Sequence, residues 1–280
     1  VIPFIEDLLL PSEDSLSLEN YNYEPSKINI GIIRFPRISN FTDFDPLNYS
    51  QVRIFYISNP NLLERFDAII LPGTKNTVQD LLWLKERGIF DALLNLRKKI
   101  PIIGICGGYQ ILGKKIFDLK GIEGGKKGVY DSLGFLEAKT SFDFFEKITK
   151  RVKGRVIAEE EILKDALGFE VQGYEIHKGL IDRGGDKPLV EVYEENGNLV
   201  EKRLEGSISE DGLVLGTQIH GLFDVPFVRN SLLRFLAKRK GVDLEELKEP
   251  ISNLWLKEID RLSRIIEKNL DLSLIYSWIL

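Results

Sequence analysis

The side chains best suited to nucleophilic or proton-transfer chemistry are scarce in this sequence. Its 280 residues include one cysteine, Cys106, and two histidines, His177 and His220. A thiolate is a strong nucleophile, and an imidazole gains and loses a proton near neutral pH. Any chemistry that needs a thiol or an imidazole must therefore use these three residues.

Cys106 lies in a glycine-rich segment that is typical of a nucleophile elbow. Residues 103–110 read Ile-Gly-Ile-Cys-Gly-Gly-Tyr-Gln, which predicts a strand, a tight turn and the start of a helix. The glycines let the strand and the helix approach each other, and the helix N-terminus favours a thiolate. The N–H of Gly107 would then face an oxyanion formed over the sulfur. The alternative is a buried cysteine that packs as a small apolar side chain, which the surrounding glycines disfavour.

A second loop of similar character follows another predicted strand. Residues 69–77 read Ile-Ile-Leu-Pro-Gly-Thr-Lys-Asn-Thr and lie between a strand pattern and a helix pattern. Loops at the carboxyl ends of neighbouring parallel strands meet over one crevice, so the N–H of Gly73 could join that of Gly107 on the same oxygen. Lys75 is either a solvated charge or a substrate contact, and the loop could also be an ordinary connection.

His220 directly follows the apolar run of residues 213–219, and a side chain at that strand end can reach the same crevice. There it could take the proton of the thiol as a general base. The alternative is a structural histidine. Position 222 is leucine, so no acid stands two residues after the histidine. An acid that orients the imidazole must come from elsewhere, and Glu175 and Asp224 are the candidates, unless the thiol and the imidazole suffice as a pair.

The remaining candidates are predicted to line the substrate pocket. His177 ends the segment Gly-Tyr-Glu-Ile-His and could bind substrate or accept a structural hydrogen bond. Glu175, in the same segment, is a further substrate-binding candidate. Thr74, Tyr109 and Gln110 are placed beside the pocket by their position alone, next to the two glycine loops. No metal site is predicted.

Short apolar runs predict the elements that position these residues. Four of them suit strands buried on both faces, as in a parallel sheet: residues 28–33, 52–57, 66–71 and 100–105. Residues 77–99 carry helical spacing of the length that a crossover needs. Further strand candidates lie close together in the second half: residues 134–140, 153–158, 171–176, 189–193 and 213–219. The predicted fold is α/β, with a flavodoxin-like, mostly parallel sheet flanked by helices and an antiparallel extension.

The sequence pattern divides the chain into three parts. Residues 1–26 change from apolar to polar and proline-bounded, which is typical of a linker after a preceding domain, and the absence of methionine predicts that a longer polypeptide contains this chain. The main α/β domain is predicted over residues 27–240. Residues 252–270 have amphipathic helical spacing, so residues 241–280 are predicted to form a C-terminal helical extension.

The overall composition argues against several classes of function. Lys and Arg total 38 and Asp and Glu total 43, and the formal net charge of −5 gives no general attraction to nucleic acid or to an anionic membrane. Hydrophobic residues make up 43% and charged residues 29%, which is typical of globular proteins. A single cysteine excludes an internal disulfide and suits the cytoplasm. No apolar run approaches the ~18 residues that span a bilayer.

The chemical segments together resemble a known family. The elbow Gly-Ile-Cys-Gly-Gly-Tyr-Gln, the loop Leu-Pro-Gly-Thr-Lys and the strand end Gln-Ile-His-Gly resemble class I, triad-type glutamine amidotransferase domains. Residues 34–47, with Ser-Asn-Phe-Thr-Asp-Phe-Asp-Pro-Leu, and residues 173–177 are more narrowly similar to the cobyric acid synthase family. Residues 1–16 look like the end of that family's N-terminal synthetase domain. The resemblance covers most of residues 1–235.

This resemblance implies an activity and a set of partners. The domain would hydrolyse glutamine and pass ammonia to a synthetase domain, N-terminal or on a separate chain, which uses ATP and Mg²⁺. The acceptor would be a corrinoid whose b, d, e and g side-chain carboxylates become amides in cobalamin synthesis. Cys106 carries over as nucleophile and His220 as base, with Gly73 and Gly107 as oxyanion donors. No cofactor is implied in this domain itself.

Two departures from the family pattern limit the resemblance. The sequence contains no Gly-x-x-x-x-Gly-Lys-Ser/Thr loop, so this chain alone could not amidate a corrinoid. Leu222 stands where most triad-type amidotransferases carry an acid, a departure that the cobyric acid synthase branch shares. The alternatives are a glutaminase of cobyrinic acid a,c-diamide synthase or of another ATP-dependent amide ligase, such as a cell-wall amidating enzyme, a different cysteine hydrolase, and a non-catalytic docking module.

Overall fold

The computed structural model of the chain describes residues 25–49, 51–123, 126–245 and 251–272, together with residues 3, 5, 277 and 278. In chain order its strands are β1 (Ile28–Ile33), β2 (Ile38–Ser39), β3 (Val52–Ile57), β4 (Ala68–Leu71), β5 (Gly73–Thr74), β6 (Ile102–Ile105), β7 (Lys115–Asp118), β8 (Gly128–Asp131), β9 (Lys139–Ser141), β10 (Ile148–Val156), β11 (Glu170–His177), β12 (Leu180–Asp182), β13 (Val190–Glu195), β14 (Asn198–Glu205), β15 (Ser207–Ile208), β16 (Val214–Thr217) and β17 (Ile219–His220). Its α-helices are α1 (Thr77–Glu86), α2 (Ile89–Leu96), α3 (Gly107–Leu112), α4 (Pro226–Lys240) and α5 (Ile251–Asn269). Short 3-10 helices lie at Phe41–Leu47, Pro60–Arg65, Lys164–Ala166 and Leu222–Asp224.

The central sheet has the strand order β15-β16-β6-β4-β1-β3, and only β15 runs antiparallel to its neighbour. Its strands form from short apolar runs because both faces are covered; every residue of β1 and β6 is buried. The five parallel strands follow the flavodoxin-like order, which reverses between β1 and β4. Loops after these strands therefore border a crevice at the carboxyl edge of the sheet. The predicted fold class is confirmed.

The predicted helical crossover of residues 77–99 is present but is divided into α1 and α2. Gly88 separates the two helices with a φ of 70°, a left-handed conformation that favours glycine. Apolar residues of both helices, including Leu81 and Leu93, are buried in one core with residues of β4 and β6. The crossover thus covers one face of the sheet and leaves its carboxyl edge open.

A second sheet, with the order β14-β13-β10-β11-β17, is antiparallel and confirms the predicted extension. The chain passes from the central sheet to this one at Gln218, because β16 pairs with β6 whereas β17 pairs with β11. In the second sheet His220 lies opposite Tyr174. This change of sheet brings the histidine to the edge of the crevice.

A third sheet has the order β12-β9-β7-β8 and follows α3 in the chain. The strand predicted over residues 134–140 is wrong for most of its length, since β9 begins only at Lys139. Gly134 has a φ of 66°, and the N–H groups of residues 133–135 donate to carbonyl oxygens of residues 111–113. These residues therefore close the end of α3 as a turn and do not extend a sheet.

The two ends of the chain differ in how far the structure bears on them. Most of residues 1–26, predicted to be a linker, lie outside the described residues. α5 agrees with the helical spacing predicted over residues 252–270. The domain boundaries at residues 26 and 240 stay predictions. Within the described ranges, no helix combines the length and the apolar character needed to cross a membrane.

Candidate active site

Cys106 precedes α3 in a backbone conformation that residues other than glycine rarely adopt. Its φ is 52° and its ψ is −108°. Its N–H donates to the carbonyl oxygen of Thr217 at 2.7 Å, and its own carbonyl oxygen accepts from the N–H of Gln110 at 3.1 Å. These bonds hold the turn between β6 and α3, and a strained backbone held in this way is typical of functional sites. The turn predicted from the glycine spacing is present.

Close packing requires the three glycines of the elbow. A Cβ on Gly104 would lie 2.7 Å from the backbone of Gly108. A Cβ on Gly108 would overlap the carbonyl oxygen of Leu71 at the end of β4, and one on Gly107 would lie 2.5 Å from Cγ2 of Thr74 in β5. The elbow therefore packs against β4 and β5, which brings Gly107 beside the second glycine loop.

Gly73, in this second loop, lies next to the catalytic candidate His220. A Cβ on Gly73 would be 3.3 Å from Cε1 of the imidazole and 3.2 Å from Oγ of Ser39. Two loops that are distant in sequence thus meet at the sulfur and the imidazole, as the strand-end argument predicts. The roles of Gly73 and Gly107 as oxyanion donors stay predictions.

An acid that the sequence analysis did not select holds the imidazole of His220. Nδ1 lies 2.6 Å from Oδ2 of Asp43, and Oδ1 of the same carboxylate accepts the N–H of Gly221 at 3.1 Å. The ring of Tyr174 stacks on the imidazole at a centroid distance of 5.1 Å. Both His220 and Asp43 are buried. In the part of the chain that the structure describes, Nε2 makes no hydrogen bond, so no protein group occupies this nitrogen.

The surroundings of His220 favour its protonated form. Burial alone would lower its pKa, but the hydrogen bond to Asp43 and the interaction with Cys106 raise the pKa to about 10. An imidazolium therefore predominates at neutral pH, which places a positive charge beside Cys106. Sγ of Cys106 also lies 3.5 Å from the carbonyl oxygen of Ile176, which fixes the sulfur near the end of β11.

The segment that carries Asp43 is held over the site by contacts along its length. β2 pairs with β5, with Ser39 opposite Gly73. Asn40 has a φ of 52° and donates from Nδ2 to Oη of Tyr174 at 2.7 Å. The 3-10 helix Phe41–Leu47 follows, and its residues Phe44, Pro46 and Leu47 are buried. The signal in the sequence was the stretch Ser-Asn-Phe-Thr-Asp-Phe-Asp-Pro-Leu, but its spacing does not distinguish one aspartate from the other.

Glu175 is wrong as a candidate for the orienting acid, because it binds cations instead. Its Oε1 accepts from Arg203 at 2.8 Å, and its Oε2 lies 3.6 Å from Nζ of Lys150 and 3.8 Å from Nε2 of His177. Burial alone would raise the pKa of Glu175, but these three partners lower it to about 2. Side chains alternate along β11, so Glu175 points to the face opposite Tyr174, which stacks on the imidazole.

Asp224, the other candidate, is also wrong as the group that binds the imidazole. Its Oδ2 lies 3.2 Å from the position of a Cβ on Gly221, whose N–H binds Asp43. Burial and the negative charge of Asp43 raise the pKa of Asp224 to about 6, against the opposing effect of Arg229. Asp224 is therefore an acidic neighbour of Asp43, and it contributes to the charge around the triad without contacting the ring.

Tyr109 does not line the pocket, contrary to its prediction from position. Its side chain is buried, its hydroxyl lies 2.6 Å from Oγ of Ser207, and its ring packs so closely on Gly216 that a Cβ there would overlap it. Because Gly216 has no side chain, the ring of Tyr109 has room to pack in the core beside it. Tyr109 therefore supports the elbow through packing in the core.

Three further sequence candidates lie beside the elbow. Oε1 of Gln110 accepts from Oγ1 of Thr77 at 2.7 Å. Oγ1 of Thr74 donates to the carboxylate of Asp80. Nδ1 of His177 lies 2.8 Å from the carbonyl oxygen of Gly179. Each of these side chains has a protein partner. The substrate-binding roles predicted for Thr74, Gln110, His177 and Glu175 stay predictions.

Glu205 anchors the chain just before His220. Its two carboxylate oxygens accept from Oγ1 of Thr217 at 2.7 Å and from the N–H of Gln218 at 2.6 Å. Burial, together with the negative charge of Glu175, raises the pKa of Glu205 to about 7 despite these hydrogen bonds. The folded protein therefore binds this proton more tightly than the unfolded chain does.

Replacing Glu205 with glutamine is expected to flatten the dependence of stability on pH. When folding raises the pKa of a carboxyl group, the free energy of unfolding of the protein falls as the pH rises from the pKa of the group in the unfolded chain through about 7. The wild-type chain should therefore lose about 2–3 kcal/mol more than the variant between pH 4 and pH 8, as measured by urea unfolding. Glu201→Gln, an exposed site on β14, is the control and should follow the wild type. Parallel curves for Glu205→Gln and wild type would contradict the expectation.

Comparison with known proteins identifies relatives over nearly the whole chain. Residues 29–226 match the family described as CobB/CobQ-like glutamine amidotransferase domain. The chain is 42% identical over 278 residues to a "Probable cobyric acid synthase" of Methanothermobacter thermautotrophicus, a match that covers 98% of this chain and 54% of that protein. It is 38% identical over 285 residues to a "Cobyric acid synthase" of Photorhabdus laumondii, covering 99% and 54%. The chain thus spans about half the length of the curated relatives it matches.

Solved structures support the fold. The structure of PurLQS from Thermotoga maritima is similar with a TM-score of 0.56 at 18% sequence identity. The similarity covers 75% of this chain and 99% of that chain. At this identity the likeness concerns the arrangement of the sheet and helices alone, and it agrees with the α/β fold described above.

Proposed function

Because the chain belongs to the CobB/CobQ-like glutamine amidotransferase family, we propose that it hydrolyses glutamine to glutamate and ammonia. The observation that carries the proposal is the interaction of Cys106, in a strained elbow, with His220, whose Nδ1 is bound by the buried Asp43. A nucleophile, a proton-transferring imidazole and an acid that orients the imidazole are the parts of a hydrolase that works through a covalent intermediate.

The first half of the reaction releases ammonia. The thiolate of Cys106 attacks the side-chain amide carbon of glutamine, and the electron pair of the carbonyl bond moves onto oxygen. The N–H groups of Gly73 and Gly107 hold this oxyanion, each contributing about 3 kcal/mol. The imidazolium of His220 gives its Nε2 proton to the amide nitrogen as the C–N bond breaks. Ammonia leaves, and a thioester to Cys106 remains.

The second half of the reaction regenerates the enzyme. Neutral His220 takes a proton from water through Nε2, and the resulting hydroxide adds to the thioester carbon. Collapse of this second oxyanion breaks the C–S bond, which releases glutamate and returns the thiolate beside the imidazolium. Asp43 binds Nδ1 throughout, so the ring cannot rotate and Nε2 stays directed at the reacting atoms.

The ammonia is assigned to an ATP-dependent amidation performed by the portion of the relatives that this chain does not span. The matched relatives are named cobyric acid synthases. We place ATP and Mg²⁺ in that portion, because this sequence contains no Walker-type Gly-x-x-x-x-Gly-Lys-Ser/Thr loop. The proposed acceptor is a corrinoid with carboxylates at its b, d, e and g side chains, and the proposed location is the cytoplasm.

Ammonia release from L-glutamine tests the proposed activity. We expect equimolar glutamate and ammonia from the purified chain, and a faster reaction when the synthetase half is supplied in the full-length protein. D-Glutamine is the control substrate and should not react. If neither preparation releases ammonia although iodoacetamide alkylates Cys106, the chain is not a glutaminase, and a different cysteine hydrolase or a docking module becomes the better interpretation.

The acceptor is tested with the full-length protein. In the presence of ATP and Mg²⁺, each corrinoid amide formed should consume one glutamine. Amidation restricted to the a and c carboxylates would instead indicate a cobyrinic acid a,c-diamide synthase. Glutamine hydrolysis without amidation of any corrinoid would indicate another amide ligase.

A further inference from the structure

A buried carboxylate beside the elbow has no part in the mechanism described above. Glu123 follows β7, and its Oε2 accepts the N–H of Thr77 at 2.6 Å. Its Oε1 lies 3.7 Å from Nζ of Lys178, longer than a charge-assisted hydrogen bond. Burial raises the pKa of Glu123, so its anion would gain from a closer cation. Glu123 and Lys178 therefore carry opposite charges but are too far apart to form a short ionic hydrogen bond with each other.

Contacts through Thr77 place the carboxylate beside the first turn of α3. Oγ1 of Thr77 donates to Oε1 of Gln110, one helical turn after the nucleophile. The same hydroxyl oxygen lies 3.3 Å from the position of a Cβ on Gly107, the residue after the nucleophile. Glu123 therefore borders the reacting centre on the side of the expected oxyanion donor.

The lysine reaches the same place from the end of β11. The carbonyl oxygen of Ile176 lies 3.5 Å from Sγ of Cys106. Three residues later, a Cβ on Gly179 would lie 2.7 Å from Nε2 of Gln110. The backbone of these residues thus crosses the first turn of α3, from the sulfur to Gln110, and Lys178 lies on this path. The carboxylate and the lysine therefore both lie next to segments that contact the first turn of α3.

We propose that Glu123 and Lys178 form the subsite for the amino acid head group of glutamine; this inference rests on the proposed glutaminase activity. In glutamine, three carbon–carbon bonds separate the amide carbon, which must meet Sγ of Cys106, from the carbon that carries the ammonium and carboxylate groups. Glu123 accepts the ammonium, and Lys178 donates to the carboxylate. Two direct ionic hydrogen bonds then replace one long contact. The subsite selects α-amino acids from among other primary amides.

Two electrophiles that differ in their head group test this assignment. The compound 6-diazo-5-oxo-L-norleucine carries the α-amino acid group of glutamine, whereas iodoacetamide does not. We expect Glu123→Gln and Lys178→Met each to slow labelling of Cys106 by the diazo amino acid about 10- to 100-fold, and to leave labelling by iodoacetamide unchanged. Lys120→Met is the matched control. Lys120 is an exposed lysine in the same loop as Glu123, and its Nζ donates to the carbonyl oxygen of Asp143. It should change neither rate, as followed by mass spectrometry.

Each outcome decides the matter. Unchanged labelling by the diazo amino acid in both variants would overturn the subsite and leave the glutaminase proposal standing. If Glu123→Gln slows labelling by both compounds and lowers the Tm, Glu123 is only a structural contact of α1. Lys178→Met then tests the role of the lysine separately, since the side chain of Lys178 is 26% exposed. If the wild-type chain reacts with iodoacetamide but not with the diazo amino acid, glutamine is not its substrate and both proposals fail.

Discussion

Replacing Cys106 with serine is expected to abolish ammonia release from glutamine without unfolding the chain. Serine has almost the same shape, but its hydroxyl ionises far less readily than a thiol, so it cannot supply the anionic nucleophile that the proposed mechanism needs. We expect kcat to fall by at least about 10⁴-fold, the order of loss seen when a hydrolase loses its nucleophile. A coupled assay for ammonia, run with excess enzyme to extend its range, measures this loss.

The fold of the serine variant provides the control. Sγ lies 3.5 Å from the carbonyl oxygen of Ile176, to which a serine hydroxyl could donate, and both residues can occupy the same turn. The urea midpoint of the variant should therefore stay close to that of the wild type. Turnover at the wild-type rate in a correctly folded serine variant would remove Cys106 from the mechanism and with it the proposed function.

The central sheet and the positions of Cys106 and His220 could be predicted because the sequence signals for them are local. Each parallel strand is a short apolar run, and Cys106 and His220 directly follow such runs. Parallel strands share a carboxyl edge, so residues at their ends converge whatever their separation in sequence. That argument needs neither side-chain contacts nor the exact strand order, which is why it placed both residues in one crevice.

The orienting acid could not be predicted in the same way because it depends on one side-chain contact between distant segments. Asp43 lies 177 positions before His220 in the chain and comes from the segment between β1 and β3. Nothing in the sequence shows that this loop folds back over β5, since the pairing of β2 with β5 rests on only two residues of each. The local candidates, Glu175 and Asp224, were nearer in sequence but lie on the wrong side of a strand or turn.

Tyr109 illustrates a second kind of contact that a sequence does not reveal. Its position in the elbow suggested a pocket residue, but the direction of its ring depends on the space left by Gly216 in a neighbouring strand. The same glycine would be an unremarkable strand residue in a sequence pattern. Predictions from motif position therefore hold for the backbone of the elbow and fail for side chains whose direction is decided by packing.

The second large effect is expected from replacing Asp43 with asparagine. The Oδ1 atom can still accept the N–H of Gly221, so the shape of the loop is kept. An amide NH₂ cannot accept from Nδ1–H of His220, so the ring loses both its orientation and the negative charge that favours the imidazolium. We expect kcat to fall about 10²- to 10⁴-fold with little change in KM, because the loss affects the proton transfers and not glutamine binding.

The titration of His220 separates this explanation from a general loss of structure. The hydrogen bond to Asp43 is the first of the effects that raise the pKa of His220 to about 10 against the opposing effect of burial. In Asp43→Asn the ring should therefore lose its proton at a clearly lower pH, which ¹⁵N spectra can follow because the sequence has only two histidines. Asp45→Asn is the matched control, because Asp45 lies in the same 3-10 helix but Asp43 is the acid that bonds to the ring. Burial and the negative charges of Asp224 and Asp43 raise the pKa of Asp45 to about 6. Equal losses of activity in the two variants would mean that the negative charge of the loop matters and the bond to Nδ1 does not, whereas normal turnover and an unchanged titration in Asp43→Asn would leave the thiol and the imidazole to act as a pair.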